Sequence, residues 1–207
     1  MSEPDWLTLA RELQAIAQTG LAFSKDPFDL QRFRRVRELA ATLMARGSAT
    51  DVERVLELFE GDVGYATPKV DVRGAAFLEG RVLLVREGSD GGWTLPGGWA
   101  DVNQSAAECV VREMAEESGF EARAVKLVAV SDYRKGGHPR RHPDSIYKLF
   151  FLCEIVGGSA RASDETTDVA FFARDALPQL SLSRTTPAQI ERMFRHAEQT
   201  HLPTEFD

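Results

Sequence analysis

The hydrophobic pattern of the chain changes its period at residues 61–68, and this change constrains the fold more than any other feature. Before it, apolar residues recur at helical spacing; after it come short apolar runs such as VDVRGAAFLEG and RVLLVREGSDGG. The first pattern is typical of amphipathic helices and the second of strands. We therefore predict two domains, a small helical domain over residues 1–64 and a second domain over residues 65–207.

Three helices are predicted in the first domain. The first ends near Gly20, the second begins at Asp26-Pro27 and ends at Gly47, and the third is capped by Thr50 or Asp51. Asp is a common N-cap, Pro suits the first helical turn, and Gly often follows a helix. Three short amphipathic helices bury little apolar surface alone, so we expect them to pack on a partner surface.

The second domain mixes strands with helices, which predicts the α+β class. Glu79-Gly80 has the composition of a hairpin turn between two apolar runs. One strongly patterned helix is expected from Ser105 to Ser118, and a C-terminal helix has Pro187 in its first turn. The predicted order is β, β, helix, β, β, helix, with strand candidates AVKLVAVSDYR, IYKLFFLCEIV and DVAFFA.

The charge balance bears on the class of partner. The chain has 25 Lys and Arg against 32 Asp and Glu, a formal net charge of -7. This charge disfavours binding to DNA or to an anionic membrane surface. The N-terminus lacks the pattern of a signal peptide, and no apolar run reaches membrane-spanning length, so we expect a cytoplasmic protein. Cys109 and Cys153 are far apart and are expected to be buried thiols.

The helix from Ser105 to Ser118 has well-defined ends and an acidic face. Ser105 and Glu108 match a capping box, and Gly119 suits the position that follows a helix. Glu113, Glu116 and Glu117 gather on one side at i, i+3 and i+4, near the helix C-terminus, where their charges repel and oppose the helix dipole. A hard divalent cation would compensate them. The alternative is a solvated acidic helix end.

The surrounding residues resemble the Nudix signature GX5EX7REUXEEXGU, in which U is an apolar residue. The matching positions are Gly98, Arg112, Glu113, Met114, Glu116, Glu117, Gly119 and Phe120, preceded by an LPGG segment, Leu95 to Gly98. One position departs from the pattern, because Gln104 stands where the family has its first Glu. Whether Glu108 takes over the structural role of that residue is left open.

The resemblance implies a fold and a metal site. The fold is the Nudix α/β/α sandwich with a mixed sheet, preceded here by the small helical domain. Glu113 and Glu117 would be the principal Mg²⁺ ligands, with Mn²⁺ as a possible substitute, and Glu116 a further ligand or the group that orients water. The carbonyl of Gly97 would add a ligand, and Arg112 would hold the carboxylates by ion pairing. A side chain at Gly97 or Gly98 would obstruct close approach of the backbone.

The remaining candidate site residues lie outside the acidic helix. The water's proton would go to Glu116, or to Glu165 or Asp168 in the loop SDETTDVAFF, with Glu165 preferred to Asp168. Basic residues of a loop between strands are candidates for phosphate binding, with an unliganded surface loop as the alternative. Trp93 and Trp99 could stack on a base or pack internally. The basic candidates are Arg134, Lys135, Arg140 and Arg141. His138 and His142 of the same loop are expected to be exposed polar residues, and Phe171 and Phe172 to be core.

The opening residues resemble the helical domain that precedes some bacterial Nudix domains, including CDP-choline and ADP-ribose pyrophosphatases. In such relatives these helices help to build a homodimer. The whole resemblance implies Mg²⁺-dependent hydrolysis of a nucleoside diphosphate linked to another moiety, namely CDP-choline, ADP-ribose or a nucleotide sugar. Two alternatives are removal of nucleotides from RNA 3′ ends and a non-catalytic nucleotide-sensing module. The acidic charge argues against the first, and the intact carboxylates argue against the second.

Overall fold

The computed structural model describes residues 4–139 and 141–207, and the chain forms two compact units. The first unit comprises Met1–Pro68 together with His142–Ser145, and the second comprises Lys69–Arg141 and Ile146–Asp207. Arg140, one of the basic loop candidates, lies outside the described residues. Among the helices of the described residues, none combines the length and apolarity that crossing a membrane requires.

The first unit contains three helices, α1 (Asp5–Phe23), α2 (Pro27–Ser48) and α3 (Val52–Gly61), as predicted. The side chain of Asp26 caps α2 by accepting from the backbone N–H groups of Phe28 and Asp29. The short segment His142–Ser145 contacts α1 in this unit, where Arg11 Nε donates to the carbonyl of Pro143 at 3.0 Å.

Two glycines that suggested helix ends have a packing role instead. Helix α1 continues past Gly20 and α2 past Gly47. A Cβ at Gly20 would overlap the ring of Phe33, and a Cβ at Gly47 would overlap the ring of Trp6. Because each glycine lets an aromatic ring lie directly on a helix backbone, tertiary packing outweighs the modest cost of glycine within a helix.

The second unit contains the predicted β, β, helix, β, β, helix order with three further strands. One of them, at Thr166–Phe172, was among the strand candidates, and the other two, at Trp93–Thr94 and Glu205–Phe206, are too short to give a periodic signal in the sequence. Its elements are β1 (Lys69–Leu78), β2 (Arg81–Glu87), β3 (Trp93–Thr94), α4 (Ala106–Ser118), β4 (Phe120–Asp132), a 3₁₀ turn (Tyr133–Lys135), β5 (Ile146–Gly158), β6 (Thr166–Phe172), α5 (Pro187–Glu198) and β7 (Glu205–Phe206).

The sheet of this unit is mixed. Its strand order is β3-β2-β1-β5-β4-β7, with β6 paired to β2. Strands β1 and β5 are parallel, as are β4 and β7, while the remaining pairs are antiparallel. The predicted hairpin turn between β1 and β2 is confirmed, because Glu79 and Gly80 both have positive φ, 51° and 73°.

Each face of the sheet is covered by one helix. Met114 of α4 packs on one face against Val72 and Phe151, and Met193 of α5 packs on the other against Ala75 and Phe150. Neighbouring residues of one strand therefore belong to different cores, as the two-residue period of a strand requires. The predicted α/β/α sandwich is confirmed. Phe171 and Phe172 pack on opposite cores, and both cysteines are buried free thiols, also as predicted.

Candidate active site

Helix α4 is fixed at both ends by the predicted caps. Ser105 Oγ accepts from the N–H of Glu108 at 3.3 Å, and a carboxylate oxygen of Glu108 accepts from the N–H of Ser105 at 2.7 Å. At the other end Gly119 has φ 76° and donates its N–H to the carbonyl of Ala115. These caps fix the rotation of the helix and therefore the direction of its acidic face.

The segment from Leu95 to Gly98 lies along β1, next to α4. Backbone N–H groups of Val72 and Gly74 donate to the carbonyls of Gly98 and Pro96 at 2.8 and 2.9 Å. Gly97 has φ 137°, and a Cβ there would overlap the carbonyl oxygen of Val72. Only glycine fits this close approach without strain.

Two of the helix carboxylates reach this glycine segment. A carboxylate oxygen of Glu117 accepts from the N–H of Gly97 at 2.8 Å. A Cβ on Gly98 would lie 3.0 Å from a carboxylate oxygen of Glu113. Two of the predicted metal-binding carboxylates therefore lie next to the backbone of the glycine segment.

Arg112 is the centre of an ion-pair network on the helix. Its guanidinium pairs with Glu113 at 2.9 Å, Glu116 at 2.6 Å and Asp101 at 2.8 Å. Its Nε donates to the side-chain oxygen of Gln104 at 3.2 Å. Gln104 therefore supports Arg112 from the position of the usual Glu, while Glu108 is used in the capping box.

The buried carboxylates of the site have too little positive charge around them to offset the cost of burial. Glu117 is 7% exposed, and burial raises its pKa to about 7 although Arg73 and the Gly97 N–H act in the opposite direction. Burial also raises the pKa of Glu113, whereas the Glu116 side chain is 59% exposed. A divalent cation with oxygen ligands would supply the missing charge. In the described part of the chain, no three Asp, Glu, His or Cys side chains are already grouped to hold a metal.

Three buried charges on β1 and β5 were missed by the sequence analysis. Asp71 accepts from Arg73 Nε and Nη2 at 3.0 and 2.8 Å and from Lys148 Nζ at 2.7 Å. Burial alone would raise the pKa of Asp71, but the two cations outweigh it and lower the value to about 2. Burial lowers the pKa of Lys148 to about 8. Charged residues within the apolar run VDVRG were the available signal.

A second buried carboxylate, Glu87, was also missed. It is 6% exposed, and Arg184 Nε pairs with it at 2.8 Å. Burial raises its pKa, with Arg184 partly offsetting the effect. Glu87 lies opposite Thr166 in the β2–β6 ladder, and the Thr166 hydroxyl donates to the carbonyl of Glu117 at 2.7 Å. Glu87 and Arg184 are thereby connected to the acidic helix.

The two loop candidates for the proton acceptor, Glu165 and Asp168, lie on either side of Thr166, the residue that is hydrogen-bonded to α4. Glu165 is exposed, immediately precedes Thr166, and its carbonyl accepts from the N–H of Gly88 at 2.9 Å. Asp168 is further along β6, opposite Arg86, and its side chain accepts from the N–H of Val169. Glu116 is tied to Arg112. Of the two loop carboxylates, Glu165 directly adjoins Thr166, whose hydroxyl is hydrogen-bonded to Glu117 of α4.

The predicted substrate-binding residues have different surroundings. Trp93 is half-buried in the α5-side core and meets Phe172 edge to face at 4.7 Å. Trp99 is 47% exposed, next to Gly98. Arg134 pairs with Asp132 at 2.5 Å, and Arg141 is exposed.

The expectation that His138 and His142 are simply exposed is wrong, since both are partly buried. His138 Nδ1 lies 2.8 Å from the carbonyl of Leu182, and Nε2 lies 3.1 Å from Gln189 Nε2. The ring is also stacked on Tyr133, with centroids 4.1 Å apart. These partners leave no sign in the sequence, because Leu182 and Gln189 are remote from His138 along the chain.

Comparisons with known proteins identify the family of both parts of the chain. A family model of the NUDIX domain matches residues 68–195, and one described as a UDP-X-like, N-terminal oligomerisation domain matches residues 4–59. A Bacillus subtilis (strain 168) protein named "Putative ADP-ribose pyrophosphatase YjhB" is 44% identical over 202 residues, covering 98% of this chain and 97% of its own.

Two solved structures are similar over long stretches. A crystal structure of a UDP-X diphosphatase is 34% identical with a TM-score of 0.63, and the match covers 100% of both chains. A crystal structure of an ADP-ribose pyrophosphatase from Streptococcus suis 89-1591 is 41% identical with a TM-score of 0.63 and covers 68% of this chain and 100% of its own.

Proposed function

Because the chain belongs to the Nudix hydrolase family, we propose that it cleaves the diphosphate linkage of a nucleoside diphosphate joined to another moiety. The products are a nucleoside monophosphate and a phosphorylated fragment. One observation carries the proposal: Glu113 and Glu117 lie against the backbone of Gly97 and Gly98, with too little positive charge around them. This arrangement suits a cation that also binds phosphate oxygens.

The metal proposed for this site is Mg²⁺, with Mn²⁺ able to substitute. Glu113 and Glu117 would hold it together with the carbonyl of Gly97, and Glu116 would contribute a further oxygen. When bound, it supplies charge neutralisation for the phosphates and lowers the pKa of a water molecule. The chemistry of the donor set, all oxygens and no thiol or imidazole, favours these hard ions.

The chain's own residues have defined tasks in this proposal. Arg112 orients the carboxylates of Glu113 and Glu116 through its ion pairs. Gln104 and Asp101 in turn hold Arg112. Glu165 accepts the proton from the attacking water, since it is exposed and adjoins the contact between β6 and α4.

For the substrate, we propose ADP-ribose or a UDP-linked compound ahead of CDP-choline. Support comes from the names of the Bacillus subtilis protein and of the two crystal structures, which refer to ADP-ribose and to UDP-X. Trp99, exposed beside Gly98, is the proposed stacking surface for the base. Arg141 is proposed to contact the phosphates.

The proposal is tested with a panel of ADP-ribose, UDP-sugars, CDP-choline and short RNAs. Incubation with Mg²⁺ in ¹⁸O-labelled water and mass spectrometry of the products identifies both the bond cleaved and the phosphorus attacked. We expect one ¹⁸O atom in a nucleoside monophosphate or in its phosphorylated partner. Cleavage of RNA alone would favour 3′-end removal instead. Tight binding of a diphosphate with no product at any metal concentration would favour a sensing module.

We also propose that the first unit forms a homodimer. Large apolar side chains on its helices face solvent in the single chain, including Phe23 (66% exposed), Phe28 (67%) and Leu58 (61%). The match to a family model described as an oligomerisation domain supports the same conclusion. A second copy would cover apolar surface that a lone helical unit leaves in water.

A further inference from the structure

The loop before α5 is tied to the strand that leads into the glycine segment. The N–H of Ser181 donates to the carbonyl of Trp93 at 2.9 Å, and the hydroxyls of Thr94 and Thr185 lie 2.8 Å apart. Thr185 Oγ1 also lies 3.4 Å from the N–H of Leu95. Ser181, Thr185 and Thr94 are each at most 1% exposed. Buried hydrogen bonds of this kind give the loop a single conformation.

Arg184 is the charged residue that this loop holds at the site. Its N–H donates to the carbonyl of Ser181 at 2.9 Å, which fixes the backbone, and its Nε pairs with Glu87 at 2.8 Å, which fixes the side chain. The Glu87 side chain is 7% exposed, while that of Arg184 is 37% exposed. Glu87 therefore holds the Nε of the guanidinium, while part of the Arg184 side chain is open to solvent.

The terminal nitrogens of Arg184 are available for a ligand. Nη2 makes one long contact, 3.5 Å to the hydroxyl of Ser89, and Nη1 has no hydrogen-bond partner among the described residues. The contact with Glu87 is through Nε. Two adjacent N–H groups of a guanidinium match two oxygens of one phosphate.

Arg184 is linked to a proposed metal ligand through its partner Glu87, which is near enough to Glu117 to contribute to raising the pKa of that carboxyl. Glu87 stands opposite Thr166 in the β2–β6 ladder, and Thr166 donates to the carbonyl of Glu117. On the other side, Arg184 is near enough to Lys148 to contribute to lowering the pKa of that lysine.

We propose that Arg184 is a substrate-binding residue whose guanidinium takes phosphate oxygens of the diphosphate. This inference rests on the proposed function and extends it to a residue that the family signature does not include. Glu87 is then a positioning residue, because it acts only by holding the Nε edge of Arg184. A residue fixed before the ligand arrives binds at a smaller entropic cost.

The test measures binding of α,β-methylene-ADP and α,β-methylene-UDP, which have the diphosphate but cannot be cleaved between the phosphorus atoms. Isothermal titration with the full chain and Mg²⁺ compares wild type, Arg184→Gln and Arg184→Lys. We expect Arg184→Gln to bind the better analogue about tenfold to hundredfold more weakly. Arg184→Lys should lie between, because it keeps the charge and loses the two-nitrogen geometry.

Arg174→Gln is the matched control, since Arg174 has a similar exposure of 42% and pairs with Glu191 and Glu198 on α5. It should bind within about twofold of wild type. The double variant Glu87→Gln with Arg184→Gln separates binding from charge balance. If Arg184 served only to neutralise Glu87, the double variant would regain wild-type affinity.

Three outcomes would overturn the inference: unchanged affinity in Arg184→Gln, recovery in the double variant, or no binding of either analogue by wild type. Thermal unfolding of each variant, followed by circular dichroism, shows whether a loss of binding comes from a loss of fold. The two proposals fail separately. If Arg184→Gln loses binding but wild type hydrolyses no nucleoside diphosphate derivative, the proposed function is wrong while the binding site for a diphosphate stands.

Discussion

The carboxylate of Glu117 and the backbone N–H of Gly97 are joined by a 2.8 Å hydrogen bond that ties the acidic helix to the glycine segment. The same carboxylate is nearly buried, and its pKa is raised to about 7. The hydrogen bond therefore compensates only part of the cost of burying the charge. Burying the Glu117 carboxylate lowers the stability of the metal-free protein, and this residue faces the proposed metal position. We therefore expect Glu117 to serve activity rather than stability.

Replacing this carboxylate should separate activity from stability. We expect Glu117→Gln to lower kcat by roughly a hundredfold or more at saturating Mg²⁺, because a metal ligand is lost. The amide oxygen of Gln can still accept from Gly97, so the melting temperature should stay the same or rise. Steady-state kinetics and calorimetry measure the two effects. Glu154→Gln, at an exposed ion pair with Arg123, is the control. Wild-type turnover in Glu117→Gln would show that the metal assignment is wrong.

Gly97→Ala should destabilise the protein and inactivate it together. The φ of 137° is strained for alanine, and the added Cβ would lie 2.9 Å from the carbonyl carbon of Val72. We expect a loss of roughly 1–3 kcal/mol in the free energy of unfolding, measured with urea. Gly61→Ala is the matched control because a Cβ there meets nothing within 4 Å. If both variants unfolded at the same urea concentration, the close approach at Gly97 would be refuted.

The hydrogen bonds of His138 predict a loss of stability in acid. Gln189 accepts the N–H of Thr186 with its oxygen at 3.0 Å, so its nitrogen donates to His138 Nε2, and Nδ1–H donates to Leu182. Both bonds require the neutral ring. Burial is the main cause that lowers the pKa of His138 from 6.5 to about 4.

The direction of the pH effect follows from proton uptake. Between pH 6.5 and about 4 the unfolded chain binds this proton and the folded chain does not, so stability falls as the pH falls through that range. Above pH 6.5 the contribution is constant. After allowance for solvent screening we expect about 1–2 kcal/mol. Urea unfolding of wild type and His138→Gln at pH 7.5 and 4.5 isolates this residue. An equal loss of stability in both proteins would contradict the assignment.

Dimerisation should depend on the exposed aromatic rings of the first unit. We expect wild type to have the mass of a dimer in light scattering and the full-length variant Phe23→Ser with Phe28→Ser to dissociate at micromolar concentration. Leu78→Ser, which removes an apolar side chain 53% exposed on the second unit, should leave the mass unchanged. A double variant that kept the dimer mass would place the interface elsewhere.

Features encoded within a few neighbouring residues could be predicted from the sequence. The capping box at Ser105, the Asp26-Pro27 helix start and the Glu79-Gly80 turn each depend on local chemistry, and all three are present. The end predicted at Gly47 is one residue short of Ser48, but α1 continues past Gly20 to Phe23. Gly20 and Gly47 instead admit the rings of Phe33 and Trp6 from another helix. Contacts between residues of two different helices leave no pattern in the neighbouring sequence.

The same distinction applies to the site. The acidic residues of α4 share one helical turn and were found from their spacing. The buried pairs were not, since Asp71 meets Lys148 only through the parallel pairing of β1 and β5. Glu87 meets Arg184 only because a distant loop is bonded to β3. Strand pairing and loop anchoring decide these contacts, and neither can be derived from periodicity.

The small segment His142–Ser145 has a consequence for how such a protein can be altered. It belongs with the helical unit, so the chain passes between the two units at residues 68–69, 141–142 and 145–146. The helical unit is therefore not a cassette that can be exchanged at a single junction. A chimera that takes these helices from a relative must also take the short stretch that Arg11 contacts, or it inherits a mismatched surface.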